Sequence, residues 1–309
     1  MSKQTTPVVE TIAAAGRTEH SLDTVARVAW ATVAPPGDEL VGELIADVGA
    51  ATALEAVFGE DDEGPVADLT ARRVRRRCRT LIPGSVSYAL RAGNRQSLSL
   101  VTPMDQAWPR RLDALGAAAP AVLWVRGDSG VLCRPNVAVI GDARLSPFGL
   151  HSTLELASHL AVSGFAIAAA ATAGVDTAAL LATVAVQRIP VAILASGLDE
   201  GSLGDDHRLI DRVEEAGAAV SEIPPGAPPD GGSVARRARV LAAAADRTIV
   251  VEASAHSPAL ATARHARALG RSVGAVPGPV DLVTSAGCAL LLEYEGASPV
   301  SSAADVRWM

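Results

Sequence analysis

The sequence predicts an α/β protein, a doubly wound parallel sheet preceded by a small helical domain. Two observations predict the sheet. Short apolar runs without polar alternation recur in the second half of the chain, which is typical of strands buried on both faces. Helical segments of about ten to fifteen residues separate most of these runs, the usual spacing of βαβ units. At 309 residues with 49% hydrophobic composition, the chain is long enough for one large or two ordinary domains.

Composition divides the chain into three predicted parts. Residues 1–20 are expected to form a flexible tail. Residues 21–95 are predicted to form several short helices, because Ser21 and Asp38 are suitable N-caps ahead of apolar-periodic segments. Residues 96–309 are predicted to contain the sheet.

Six arginines crowd one predicted helix that starts at Val66. They are Arg72, Arg73, Arg75, Arg76, Arg77 and Arg79. Such a cluster suggests nucleic-acid binding. On a helix, however, they would spread around most of the circumference, and the acidic loop at 59–64 offers neutralising partners. A solvated face is therefore the preferred interpretation, and a nucleic-acid contact stays open.

Bulk properties exclude several classes of protein. The net charge is −7, so any nucleic-acid site must be a local arginine patch. Cys78, Cys133 and Cys288 are odd in number and far apart, which predicts a reducing cytoplasm, no disulfide and no metal site. No signal peptide is recognisable, and the most apolar region, residues 166–195, is interrupted by polar residues and proline, so no membrane span is expected.

The stretch from Val137 to Gly149 is the centre of the predicted sheet. An apolar strand runs to Gly141, and an apolar-periodic helix follows. A glycine turn between strand and helix presents free N–H groups at the carboxyl end of the strand, where a phosphate could bind. The alternative is a turn without a ligand. Ser146 is interpreted first as the N-cap of this helix and second as a phosphate contact.

Further strands are predicted along the rest of the chain. The parallel set is Val137–Ile140, Phe165–Ala169, Val191–Leu194, Ala218–Ser221, Thr248–Val251 and Ser272–Val276, preceded by strands at Ser97–Val101 and Ala121–Val125. Ligands of such sheets bind beyond the carboxyl ends of the strands. The loops there are rich in glycine and poor in candidate nucleophiles, which favours binding over catalysis.

Several of these loop residues are candidates for phosphate contact. Gly141 is favoured for a ligand role, while for Gly197 a tight turn is an equal alternative. Arg144 can supply a forked donor, and it can equally lie on the surface. Arg237 and Arg239 are expected on a loop just before an alanine-rich helix, where both would face one groove.

Other polar and aromatic residues of these loops have structural interpretations. Asp176 suits the positive end of a helix dipole. Glu222 and Glu252 are expected to accept hydrogen bonds from loop N–H groups. Trp108 and Trp124 are expected to be core residues, with base stacking as the alternative.

The order of these loops resembles that of the DprA/Smf family of DNA-processing proteins, from about Val101 to Val306. The matching motifs are VAVIGDARLSPFG, AGVDTAA, the Gly197-Leu198-Asp199 triplet, SEIPPG at 221–226, RARVLA at 237–242, VVEA at 250–253 and VPG at 276–278. SEIPPG after a strand is highly specific.

The resemblance implies an extended Rossmann-like domain behind a SAM-like helical domain. It implies a non-catalytic, homodimeric protein that binds single-stranded DNA and delivers it to a RecA-type recombinase during DNA uptake. It implies no cofactor. Many members carry a C-terminal winged helix, which is not expected here because the sequence ends at Met309.

Departures from the family pattern leave two alternatives open. Ala143 stands where the family has arginine, and Ala238 stands between the two arginines of the family's R-N-R triplet. One alternative is a degenerate paralogue that keeps dimer and partner contacts without binding DNA. The other is a nucleotide-binding enzyme, although the glycine-rich loop of such enzymes is missing after Val276.

The predicted site is a cationic trough at the open ends of the sheet. The residues predicted to bind DNA or phosphate are Gly141, Arg144, Ser146, Gly149, Gly174, Gly197, Arg237, Arg239 and Ser257.

Overall fold

The structure is a computed structural model that describes residues 8–16, 20–59, 69–203, 207–227 and 232–307. The strands run over Ser99–Val101 (β1), Leu123–Gly127 (β2), Asn136–Gly141 (β3), Ala166–Ala169 (β4), Pro190–Ile193 (β5), Ala218–Ser221 (β6), Arg247–Glu252 (β7), Ser272–Ala275 (β8) and Ser298–Pro299 (β9). Within the described residues they form one nine-stranded sheet, in the order β1-β2-β6-β5-β4-β3-β7-β8-β9. The short edge strand β9 was not predicted.

The helices surround this sheet and precede it. They run over Val8–Gly16 (α1), Leu22–Val33 (α2), Glu39–Val48 (α3), Ala50–Phe58 (α4), Leu69–Arg77 (α5), Pro83–Arg95 (α6), Pro147–Val162 (α7), Val175–Ala185 (α8), Glu200–Leu203 (α9), His207–Ala216 (α10), Ser233–Ala244 (α11), Ala259–Ala268 (α12), Ala286–Glu293 (α13) and Ala303–Arg307 (α14). In the described parts of the chain, no helix combines the length and apolar character needed to cross a membrane.

The topology confirms the predicted α/β fold with a mostly parallel, doubly wound sheet. Across the sheet, the seven neighbouring strands β6, β5, β4, β3, β7, β8 and β9 pair in parallel. Strand β2 pairs antiparallel with β1 and with β6. The chain winds from β3 through β4 and β5 to β6, and then returns to the other side of β3 for β7. The switch point of the topology therefore lies between the carboxyl ends of β3 and β7. Ligands bind at this point in such folds.

Strand β3 lies in the interior, as its unbroken apolar sequence predicts. Val137, Ala138 and Val139 are fully buried and Ile140 is 2% exposed. Hydrophobic clusters cover both of its faces, and it pairs with β4 on one side and β7 on the other. The turn that follows it is consequently held on a rigid element.

The first helix corrects the predicted tail. Val8–Gly16 form α1, in which Val9 is 3% exposed and Ile12 is fully buried. The Val8 N–H also donates to a carboxylate oxygen of Glu55 at 2.8 Å. Val9 and Ile12 are spaced so that they lie on one face of a helix, and burial of this face favours a helix although the surrounding residues are polar. Residues 1–7 and 17–19 lie outside the described part of the chain.

The predicted N-caps of the helical region are confirmed. The Ser21 hydroxyl accepts the Thr24 N–H at 3.2 Å, and one carboxylate oxygen of Asp38 accepts the N–H groups of Leu40 and Val41 at 3.1 and 3.2 Å. Each cap satisfies donors that a helix start leaves unpaired.

The arginine-rich helix α5 buries Ala71 and Val74 and exposes its arginines to solvent. Arg75 donates to the Val57 carbonyl at 3.0 Å. This agrees with the solvated-face interpretation for most of the cluster. The predicted start at Val66 and the acidic residues at 60–63 lie outside the described residues.

The helical region and the sheet share one hydrophobic core. Trp30 of α2 and Trp124 of β2 belong to the same buried cluster. At the junction, a Cβ on Gly93 of α6 would lie 2.6 Å from the Trp124 ring, and one on Gly42 of α3 would lie 1.8 Å from the Ala117 carbonyl oxygen. Trp108 and Trp124 are each 1% exposed, which confirms them as core residues.

Candidate functional site

The turn between β3 and α7 holds a negative charge that the chain itself supplies. Ser146 caps α7 by accepting the Gly149 N–H at 3.0 Å, as predicted. The Ser146 N–H donates to Oε2 of Glu252 at 3.1 Å, and the Thr284 hydroxyl donates to Oε1. Glu252 is 1% exposed. Its carboxylate therefore lies where an external anion would bind a helix N-terminus.

The glycines of this turn make room for atoms of the protein. A Cβ on Gly149 would lie 1.7 Å from Oε2 of Glu252. A Cβ on Gly141 would lie 2.5 Å from the Glu252 carbonyl oxygen and 2.5 Å from Cγ2 of Val175. The phosphate contact predicted for Gly141, Ser146 and Gly149 stays a prediction, and the described geometry gives each of them a contact within the chain.

Asp142 adds a second carboxylate at the same switch point. Its Oδ2 accepts the Ser254 N–H at 2.8 Å, and its own N–H donates to the Glu252 carbonyl at 2.7 Å. The loops after β3 and β7 are thus joined by hydrogen bonds to carboxylates. Asp142 was not among the predicted site residues, although an acidic residue directly after Gly141 was the available signal.

The loop after β4 buries a third acidic group. Gly174 has a φ of 87°, and a Cβ there would lie 2.1 Å from the Asp142 carbonyl oxygen, so this position requires glycine. Asp176, at the start of α8, is 4% exposed and accepts a hydrogen bond from the Thr172 hydroxyl. Burial raises the pKa of Asp176 to about 6, against the opposing effects of Thr172 and of the Arg237 charge.

Arg237 and Arg239 lie inside α11, which corrects their predicted position on a loop before the helix. Residues two apart on an α-helix point about 200° apart, so these side chains cannot face one groove. Arg239, 8% exposed, donates to both carboxylate oxygens of Glu222 at 2.8 and 2.7 Å. Arg237 donates to the Ala170 carbonyl at 3.0 Å, and burial lowers its pKa while Asp176 opposes that shift.

Gly197 and Ser257 also have structural partners. A Cβ on Gly197 would lie 2.6 Å from Oδ1 of Asp199 and 3.0 Å from the Pro224 carbonyl oxygen, which favours the tight-turn alternative. Asp199 accepts the Gly226 N–H at 2.9 Å and so ties together the loops after β5 and β6. Ser257 is 6% exposed, and its hydroxyl accepts the Ala259 N–H at 3.3 Å at the start of α12.

Arg144 is the predicted cation that remains available at this edge. It is exposed in the turn after β3, and it makes no ion pair within the described part of the chain. The structure therefore places Gly141, Arg144, Ser146, Gly149 and Gly174 around one pair of turns. Carboxylates outnumber exposed guanidinium groups there, in contrast to the cationic trough predicted from the sequence.

Comparison with known proteins identifies a family to which the chain is similar. The profile of the family described as DNA recombination-mediator protein A matches residues 99–308, which include every described strand of the sheet. A putative DNA processing protein DprA from Mycobacterium tuberculosis is 37% identical over 219 residues, which cover 67% of this chain and 56% of that protein. DNA processing protein DprA from Streptococcus pneumoniae is 32% identical over 203 residues, which cover 66% of this chain and 71% of that protein.

Two solved structures share the fold. The structure of DprA from Streptococcus pneumoniae superposes with a TM-score of 0.74 at 24% identity, covering 94% of this chain and 98% of the other. The structure of DNA processing protein A from Helicobacter pylori, described for its single-stranded DNA binding mode, superposes with a TM-score of 0.61 at 25% identity, covering 68% of this chain and 95% of the other. The match to the mycobacterial relative spans little more than half of that protein's length.

Proposed function

This chain belongs to the DNA recombination-mediator protein A (DprA) family, and from that premise we propose that it is a non-catalytic protein that binds single-stranded DNA along the carboxyl edge of its sheet. The observation that carries the proposal is the family match along the whole sheet, from residue 99 to residue 308. The related Helicobacter pylori protein, described as binding single-stranded DNA, supports the same substrate.

The carboxylates of the edge support binding rather than catalysis. Glu252 and Asp142 each accept backbone N–H groups, and Glu222 is paired with Arg239. A general base must reach a substrate proton with a free oxygen. Both carboxylate oxygens of Glu252 and of Glu222 are instead engaged within the chain, and so is Oδ2 of Asp142.

Arg144 is the residue through which this edge contacts a phosphate. Its guanidinium is exposed beside the switch point and can donate two parallel hydrogen bonds to phosphate oxygens. Contacts to phosphate carry no base information, so binding tolerates any sequence. Since Glu252 fills the N-terminus of α7, the helix adds little, and the affinity at this turn is modest.

A strand held in this way is delivered to a RecA-type recombinase by a homodimer of the chain. This part of the proposal rests on the resemblance alone. Both partnerships are measurable in one mixture by light scattering, with and without the recombinase.

The test is a titration of labelled oligothymidylate at several salt concentrations. Wild type is expected to bind the single strand better than a duplex of the same length. Arg144→Gln is expected to weaken binding about five-fold, and to make the slope of log affinity against log salt shallower by about 0.7. Arg134→Gln is the matched control, because Arg134 is also exposed but precedes β3 at the opposite edge. No binding by wild type at low salt would overturn the proposal.

A second candidate function has one observation in its favour. Glu252, Asp142 and Asp176 place negative charge at the switch point, which suits a paralogue that keeps its partner contacts without DNA. Capture of the recombinase by a chain that fails to bind oligothymidylate would establish this alternative.

A further inference from the structure

A cleft lies between the helical region and the carboxyl ends of β5 and β6. Its volume is about 420 Å³, within the usual range for ligand sites of ~300–1,000 Å³. Arg77 and Arg79, at and just beyond the end of α5, line one side, and residues that follow β5 and β6 line the other. The lining residues that carry the argument are Arg77, Arg79, Ala195, Ser196, Ile223 and Pro224.

The charged residues that line this cleft are arginines, one of which, Arg77, is paired with Asp38 behind it. Arg77, Arg79 and Arg236 line it, and among the residues that the structure describes no aspartate or glutamate does. A larger groove of about 1200 Å³ lies on the other side of the segment Ala31–Pro36 and has the opposite character. Among the described residues, its acidic lining residues are Asp23, Asp38, Glu43, Asp47, Asp105, Asp113 and Glu222, beside the cation Arg27. An anion is therefore attracted to the arginine side of this segment and repelled from the other.

The helical region holds the side chain of Arg77, the last residue of α5, and the backbone of Arg79, which follows it. The Arg79 N–H donates to the Val33 carbonyl at 2.8 Å, which also satisfies an acceptor at the carboxyl end of α2. Nε of Arg77 donates to Oδ2 of Asp38 at 2.6 Å, while the Arg77 side chain stays 57% exposed. Arg79 is exposed and has no ion pair within the described residues. The Arg79 guanidinium can thus receive a phosphate without breaking an ion pair, and the Arg77 guanidinium can do so through its terminal nitrogens while Nε keeps its contact with the buried Asp38.

The cleft lies on the same edge of the sheet as Arg144. Strands two apart in a sheet are separated by about 10 Å, so the ends of β3 and β5 lie within reach of one short stretch of polynucleotide. The wall opposite the arginines is apolar at Ala195, Ile223 and Pro224, a surface suited to a sugar or a base. Its volume excludes a duplex.

We propose that this cleft binds a second stretch of the same single-stranded polynucleotide, with Arg77 and Arg79 as its phosphate contacts. The inference rests on the proposed function and deepens it, because it adds residues from the helical region to the path of the strand. It also gives part of the arginine cluster a role in binding, while the remaining arginines of α5 face solvent.

The test compares single arginine variants on oligothymidylates of about 4 and about 20 nucleotides. Arg79→Gln is expected to weaken binding of the long oligonucleotide about five-fold and to make its salt slope shallower by about 0.7. Arg76→Gln and Arg72→Gln are the matched controls, because these arginines lie on the same helix, are exposed and do not line the cleft. Thermal unfolding of each variant verifies that the helical region is intact.

Each outcome separates the cleft from the wider proposal. Binding that falls for Arg79→Gln but not for the controls supports the cleft. If wild type binds and neither Arg79→Gln nor Arg76→Gln changes the affinity, the assignment of the cleft is overturned and the proposed function stands. Absence of wild-type binding at either length overturns the proposed function and the cleft with it. Inorganic phosphate that competes as well as the long oligonucleotide shows a free-anion site and overturns the polynucleotide assignment.

Discussion

The carboxyl edge of the sheet has two parts, one at β3 and β7 and one at β5 and β6, which differ in whether a carboxylate of the chain already occupies them. At the switch point between β3 and β7, glycine turns present N–H groups, and Glu252 and Asp142 already accept two of them. Near β5 and β6, Arg77 and Arg79 line a cavity without a carboxylate among the described residues. Glycine turns alone therefore do not make a phosphate site, because the local charge decides whether an outside anion can use them.

The largest expected effect concerns Arg239, which the sequence placed in the binding trough and the structure places in a buried ion pair. Arg239→Met leaves Glu222 buried without its partner and is expected to lower the free energy of unfolding by about 3–5 kcal/mol. The double variant Arg239→Met/Glu222→Leu should recover most of that loss. Urea denaturation measures both.

The affinity of the double variant for oligothymidylate shows whether Arg239 also contacts DNA. If Arg239 belongs to the scaffold, the double variant binds DNA as wild type does. A double variant that is stable but binds DNA several-fold more weakly would show that Arg239 belongs to the binding surface.

The next largest effect concerns Glu252, the carboxylate that occupies the switch point and has no counterpart among the described residues lining the cleft at β5 and β6. Glu252→Ala removes the acceptor of the Ser146 N–H and the Thr284 hydroxyl and leaves a cavity, so it is expected to cost about 3 kcal/mol of stability. The vacated N-terminus of α7 should then bind phosphate, so that added phosphate restores part of the loss.

The control for Glu252 is Glu155→Ala, which removes an exposed carboxylate of α7, the helix whose N-terminus Glu252 contacts, beside His159. It is expected to leave stability almost unchanged. A Glu252 variant that unfolds at the wild-type urea concentration and ignores phosphate would contradict the carboxylate's role as an internal anion.

The smallest effect concerns the pH response of Asp176. Its pKa is raised to about 6 in the folded protein, so the native state keeps a proton that the unfolded chain releases above its ordinary value of 3.8. Stability should therefore fall as pH rises from about 4 to about 6. Asp176→Asn should remove this fall, which amounts to about 2 kcal/mol between pH 4 and pH 7.

Asp305 offers a control of opposite sign. Hydrogen bonds from the N–H groups of Ser301 and Ser302 lower its pKa, so its contribution is present above its ordinary pKa and is lost as pH falls. Asp305→Asn should therefore change the pH profile in the opposite direction. Denaturation series at several pH values distinguish the two variants, and identical profiles for wild type and Asp176→Asn would contradict the shift.

Local sequence was sufficient for the fold and for the caps. The strand at Val137–Ile140 and the cap at Ser146 depend on neighbouring residues, and both are found where predicted. The positions of Arg237 and Arg239 were wrong because α11 begins after Gly232 without a side-chain cap, so the sequence carries no start signal there.

Partners distant in sequence could not be predicted. Glu252 lies 106 residues from Ser146, and Arg239 pairs with Glu222 only because α11 packs beside the end of β6. The same limit applied to the arginine cluster, whose position depends on how α5 lies against the loops after β5 and β6. Charge neutralisation is a property of the folded chain, and a sequence motif does not reveal it.

The packing of Gly93 on Trp124 and of Gly42 on Ala117 has a consequence for affinity. These glycines let the backbone of the helical region contact the sheet segment closely. The spacing between Arg79 and Ser196 is therefore set before any DNA binds. Preorganisation of this kind spares the entropic penalty of domain closure. Association should then proceed as a simple one-step encounter without a slow isomerisation, and a bulky residue at Gly93 would slow or weaken it without touching a phosphate.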